Sequence, residues 1–176
     1  MALESISAEE LRSLRTYDPE TGQWKHCSDA GNGIRSGDQV SLCADTNGYL
    51  TMTVKRKLYL AHRLAFLYMT GSWPPDQVDH VNGVITDNRW CNLRPASREE
   101  NTRHRAISAS KKTTDFKGVY KRNDRPNKQY EARIGVDGKY KSLGSYQDAA
   151  IAAWVYNLFA IALHGEFAIL NELKVV

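Results

Sequence analysis

Cysteine is scarce in this chain: Cys27, Cys43 and Cys91 are the three in 176 residues, odd in number and far apart. They support neither a disulfide framework nor a zinc knuckle, and they fit a reducing cytoplasm. No apolar run approaches the ~20 residues that a membrane span requires, so no membrane partner is expected. The first fifteen residues carry Glu4, Glu9 and Glu10 and lack the apolar core of an export signal, so we expect a protein that is not secreted. Acidic residues are thin in one region. Residues 97–146 hold 6 of the 20 Asp and Glu against 13 of the 24 Lys and Arg, net +7, and the remainder is −3. That basic block, interleaved with Tyr120, Tyr130, Tyr140 and Tyr146, points to a polyanionic partner. Ordinary hydrophobic (41%) and charged (25%) contents allow one real core or two small ones.

What is present centres on Val78-Asp79-His80-Val81-Asn82-Gly83. An apolar approach ends in an Asp-His pair, and Asn82-Gly83 is a tight-turn signal. The Asp79 carboxylate and the Asn101 amide oxygen suit a hard divalent cation. His80, beside Asp79, can take a proton from water near neutral pH. A hard metal, a base and basic surroundings are what phosphodiester hydrolysis needs.

Upstream, residues 1–16 read as a short helix with a Ser7–Glu10 capping box. A turn at 17–22, a strand over 23–27 and a loop over 28–37 follow, then a hairpin with arms 49–54 and 58–60 turned at Lys55-Arg56-Lys57. Residues 61–70 read as a helix closed by Gly71. In its first turn His62 suits either the core or a phosphate, and Arg63 suits a phosphate or carboxylate. Residues 82–93 form a polar loop whose amides pair with backbone groups. Ser97-Arg98-Glu99-Glu100 is a capping box that starts a helix carrying Asn101, Arg103, His104 and Arg105, a cationic side for phosphate oxygens.

With these residues in view, the stretch 45–105 resembles the His-Asn-His (HNH) endonucleases of the ββα-metal fold, in particular the phage and intron homing type. The pattern is His62-Arg63-Leu64-Ala65, Asp79-His80-x-Asn82-Gly83, Asp87-Asn88-Arg89, Asn92-Leu93-Arg94 and Glu100-Asn101. The resemblance implies that His80 is the general base and that Asp79 and Asn101 hold one divalent metal, Mg²⁺, which stabilises the leaving 3′ oxygen. It makes Asn92 the brace of the loop that orients His80. Many relatives place a histidine where Asn101 stands; the asparagine matches the homing branch and disfavours Zn²⁺.

Residues 108–115 read as a polar linker. Beyond them, strands are expected over 116–122, 129–136 and 139–143, with Asp137-Gly138 as a type I′ hairpin signal. Tyr130, Ala132, Ile134 and Val136 should face inward, Gln129 and Arg133 outward. Residues 147–164 read as a helix capped by Ser145, stopped at Gly165, and brought close to the sheet by alanines 149, 150, 153 and 160. Its stripe Trp154, Leu158 and Ile161 is expected to be core. This unit resembles the APETALA-type (ethylene-response-factor-like) DNA-binding domain. It does so through Lys117-Gly118-Val119, Ala132-Arg133-Ile134, Leu143-Gly144-Ser145-Tyr146, Ala149-Ala150, Ala153 with Tyr156, and His164-Gly165. The resemblance implies a sheet lying in the major groove, with Tyr120, Arg122 and Arg133 toward bases and backbone and Lys139 and Lys141 toward phosphates.

The expectation is therefore an α+β chain: a β-rich extension (1–60), an HNH core (61–107), a linker (108–115) and a sheet-plus-helix DNA-binding domain (116–173). Its function would be divalent-metal-dependent cleavage of double-stranded DNA. The competing reading is a DNA-binding protein without catalysis. An RNA-directed or structure-specific nuclease lacks a single-strand stacking motif to support it. Whether the protein is a monomer or a dimer is left open.

Overall fold

The computed structural model describes residues 6–29, 31–103, 113–124 and 127–173, and for Arg103 the backbone alone. It is a mixed α/β chain of small antiparallel sheets and helices, divided into two compact units, Met1–Ser97 and Arg98–Val176.

In the first unit, α1 (Ala8–Leu14) is shorter than the sequence suggested, but its capping box is formed: Ser7 Oγ accepts from the Glu10 amide and Glu10 reaches back to the Ser7 amide. Where the helix was expected to continue, Arg15 leads into β1 (Arg15–Tyr17), which pairs with β2 (Trp24–His26). A three-stranded sheet follows in the order β3 (Cys43–Ala44), β4 (Leu50–Val54), β5 (Lys57–Leu60). The turn between the last two has Lys55 and Arg56 both at positive φ, 47° and 64°, a two-residue hairpin turn without glycine. Helix α2 (Ala61–Thr70) ends at Gly71, whose φ of 81° supplies the left-handed cap.

The chain then forms β6 (Gln77–His80), the polar loop, a 3-10 turn at Trp90–Asn92, and β7 (Leu93–Ala96) antiparallel to β6. β7 was not anticipated; residues 82–93 read as one polar loop, and only pairing with β6 reveals the strand. One core joins all of this. Leu11, Tyr17, Trp24, Met52 and Val54 pack with Leu64, Leu67, Val78 and Leu93. The β-rich residues before position 61 are thus packed into the same core as those after it.

In the second unit, α3 (Arg98–Arg103) is followed by the sheet β8 (Val119–Lys121), β9 (Tyr130–Val136), β10 (Lys139–Tyr146), with β9 central. β8 is shorter than expected because Phe116–Gly118 is a turn. Gly118 there has φ 73°, and a Cβ would lie 2.1 Å from the Tyr156 ring. Asp137 and Gly138, at φ 51° and 72°, form the expected hairpin turn. The inward side of β9 is as expected: Ala132 and Ile134 are buried, with Tyr130 and Val136 packed beside them.

Helix α4 (Ala149–His164) departs from its sequence reading in two respects. Asp148, not Ser145, is the cap, accepting from the amides of Ala150 and Ile151, while Ser145 pairs with Glu131 in the sheet. The face on the sheet is Ala152, Ala153, Tyr156 and Ala160, so of the alanines named only 153 and 160 are buried. Trp154, Leu158 and Ile161 are 54%, 47% and 54% exposed. Small side chains let the helix approach a three-stranded sheet closely, and that closeness, not side-chain size, selected the buried face. A helix apolar all round offers no periodicity to tell the two faces apart. Its apolar length, Ala149–Phe167, also reaches by length and composition what a membrane crossing needs, which corrects the expectation that no run does.

Candidate functional site

β6 and β7 build the site by register. Opposed residues of an antiparallel pair project from the same side, and Asp79 stands opposite Arg94, with His80 opposite Leu93. Arg94 accordingly donates from Nε (2.9 Å) and Nη2 (2.7 Å) to Asp79 Oδ2. Asp79 is 4% exposed, so the guanidinium compensates a carboxylate that burial alone would penalise. Arg94 had been recognised as part of the motif without a role; the strand register supplies one.

His80, 3% exposed, sits at the strand end with Nε2 3.0 Å from Asn88 Oδ1. Its ring is edge-on to His62, centroids 5.0 Å apart, and 6.1 Å from Tyr49, which also lies 5.3 Å from His62. Burial lowers the His80 pKa below its ordinary value, against the opposing pull of Asn88, Asp79 and Asp87. His62 is pushed down to about 3, first by burial and then by the charges of His80 and Arg63. Both rings are neutral at pH 7, as a proton acceptor must be. Of the two environments weighed for His62, the core is the one observed.

Asn92 ties the loop together. Its Oδ1 accepts from the Asn82 amide at 2.9 Å, its Nδ2 donates to the Asp87 carbonyl at 2.8 Å, and its own carbonyl accepts from the Val81 amide. Asn82 adds bonds to the Asp87 carboxylate and from the Val84 amide, and Arg89 holds Asp87 from the other side. The amides of Asn82 and Asn92 pair with backbone as expected, whereas Asn88 pairs with the His80 side chain and Asn82 also with the Asp87 carboxylate.

The other predicted residues are distributed as follows. Arg63 donates to the Asp76 carbonyl and lies over the Trp73 ring. Asn101 is on α3, in the second unit, and half-buried there. The side chain of Arg103, with His104 and Arg105, lies outside the described residues, as does most of the expected linker.

On the second unit's open sheet face, Tyr120, Arg122 and Arg133 come together, with Arg133 over the Tyr120 ring at 5.5 Å. A residue the sequence reading passed over organises them. Glu131, buried, accepts from Arg122 Nη1 (3.0 Å), Arg133 Nη2 (2.7 Å) and Ser142 Oγ (3.0 Å). Arg133 first, then Ser142 and Arg122, hold its carboxyl below the usual range against burial. Only the pattern of alternation on β9, with Glu131 on the side of Arg133, could have signalled it. Lys139 and Lys141 are exposed, but their partners are Val136 and Ile134 on the helix-facing side, so they do not join this face.

Among the described residues no group of three or more His, Cys, Asp or Glu could hold a metal ion. Asp79 in the first unit and Asn101 in the second each offer oxygen donors only. That fits a hard cation such as Mg²⁺, which keeps waters and takes one or two carboxylates plus substrate phosphate.

Residues 59–103, from β5 to α3, match the family described as HNH endonuclease. A protein of Acanthamoeba polyphaga mimivirus, named as an uncharacterized HNH endonuclease, is 30% identical over 128 residues, covering 72% of this chain. The match spans 64% of that relative's length. A solved structure titled for DNA binding and cleavage by the HNH homing endonuclease I-HmuI is 18% identical. It aligns over 86% of this chain and 85% of that one with a TM-score of 0.41.

Proposed function

We propose that the protein is a metal-dependent DNA endonuclease of the homing type found in phage. The observation that carries this is a buried His80 at the end of β6, next to an arginine-held Asp79, inside the segment that matches the HNH endonucleases. In this reading His80 takes a proton from water. The water oxygen attacks phosphorus, the P–O3′ bond breaks, and the departing O3′ takes a proton from solvent, leaving 5′-phosphate and 3′-hydroxyl ends. Asp79 and Asn101 would hold one divalent cation, Mg²⁺ by their all-oxygen chemistry. Such a cation, when bound, stabilises charge on the phosphate and the departing oxygen. Asn92 fixes the loop that carries Asn82 and Asp87 around His80. Arg63, Arg103 and Arg105 serve the DNA backbone.

The second unit serves as the DNA-binding module. Tyr120, Arg122 and Arg133 present a planar cationic and aromatic face, prearranged by Glu131, for bases and backbone. Lys139 and Lys141, off that face, are assigned to phosphates. The test is nicking of supercoiled plasmid with Mg²⁺ or EDTA by wild type and His80→Ala. We expect metal-dependent relaxation, lost in the variant with duplex affinity retained. Tight duplex binding without any cleavage would favour the binding protein without catalysis.

A further inference from the structure

The side chain of Asn88 makes one hydrogen bond among the described residues, and it is to His80. Its Nδ2 is buried and has no partner there, so the amide is not placed by a network of its own. The backbone of Asn88 is held on two sides. Tyr17 Oη donates to its carbonyl at 2.6 Å. The turn between β1 and β2 presses on it so closely that a Cβ on Gly22 would lie 2.6 Å from the Asn88 carbonyl carbon. Trp90, two residues on, donates its amide to Pro19 at 2.9 Å. These N-terminal contacts converge on one loop residue whose side chain ends at the base.

We propose that Asn88 is a positioning residue that selects the tautomer of His80, and that the β1–β2 hairpin holds it there. This rests on the reading of His80 as the base. With the amide oxygen toward the ring, His80 carries its proton on Nε2, donates it to Asn88 Oδ1, and keeps the Nδ1 lone pair for water. The opposite amide orientation would put the proton on Nδ1 and leave no lone pair to accept one. A wrong tautomer disables a histidine base even when the geometry survives. The device lies outside the Asp79, His80, Asn92 and Asn101 set, and it gives the N-terminal hairpin a part in the chemistry.

The test is the ¹⁵N spectrum of the His80 imidazole in the full chain at one fixed pH near 8, for wild type, Asn88→Ala and Asn88→Asp, with plasmid nicking measured in parallel. We expect the Nε2–H form in wild type and in Asn88→Asp, which keeps an oxygen acceptor. Asn88→Ala should give a mixture of tautomers, with kcat lower by roughly 10- to 100-fold and KM little changed. A wild-type ring protonated on Nδ1 overturns the proposal and needs no variant. So does Asn88→Ala with an unchanged tautomer and kcat within about twofold of wild type. If Asn88→Ala does not fold, Asn88→Asp decides, because loss of the Nε2–H form there is equally fatal. Should wild type cut no DNA, the nuclease reading fails while the tautomer measurement still stands.

Discussion

Two neutral histidines packed edge to edge dominate the site at the scale of single residues. His62 has its folded pKa near 3, well below that of the unfolded chain, so below about pH 6.5 the unfolded state binds a proton that the folded state does not. Stability contributed by His62 is present above that pH and is lost as pH falls toward 3, with a slope of about 1.4 kcal/mol per pH unit. Urea melts between pH 7 and pH 4 should show this decline, and His62→Phe should flatten it; parallel curves would mean that His62 is not the proton acceptor. Tyr17→Phe removes a buried hydrogen bond to Asn88, and we expect a loss of about 1–2 kcal/mol by thermal melting, together with slower nicking.

Among the elements, the second sheet and its helix depend on small residues where the backbone comes close. Gly118→Ala combines a left-handed φ with a Cβ overlapping Tyr156, and it should destabilise this unit by roughly 2–4 kcal/mol. Ala153→Leu overfills the α4–sheet contact at about 1–3 kcal/mol, whereas Trp154→Ala on the open side should cost less than about 1 kcal/mol. Chemical denaturation of the three variants checks the order; a larger loss at Trp154 would mean that the exposed stripe is covered. The helix shows how far sequence reaches. Its limits and its Gly165 stop were legible to within two residues, but its buried face was not, because an almost wholly apolar helix has no polar side to mark the outside.

For the whole molecule, the shared core of the first unit has a direct consequence. Removing residues 1–60 takes away Leu11, Trp24, Met52 and Val54 from beneath Leu64, Leu67 and Val78. Residues 61–97 should then contribute no cooperative unfolding transition of their own, which calorimetry would show as loss of the first unit's transition while that of the second unit stays; a retained first-unit transition would contradict it. DNA binding should weaken steeply with salt, and Arg133→Ala should lower the log–log salt slope by about 1 without altering the ends produced by cleavage. An unchanged slope would remove Arg133 from the contact surface.

The sequence by itself determined the motif positions and most of the local elements that carry them. Asp79-His80, the turn at Asn82-Gly83, the capping box at Ser7, the glycine stops and the Asp137-Gly138 hairpin are all set by short-range backbone and side-chain preferences, and these can be read within a few positions. Tertiary structure alone decided which residues meet across long separations. Arg94 finds Asp79 through strand register, and Glu131 gathers Arg133 of its own strand, Ser142 of β10 and Arg122 just beyond β8. Tyr17 and Gly22 reach Asn88 from some 70 positions away. The reason is physical: register and close packing are properties of paired strands and a shared core, and no local stretch of the chain contains them.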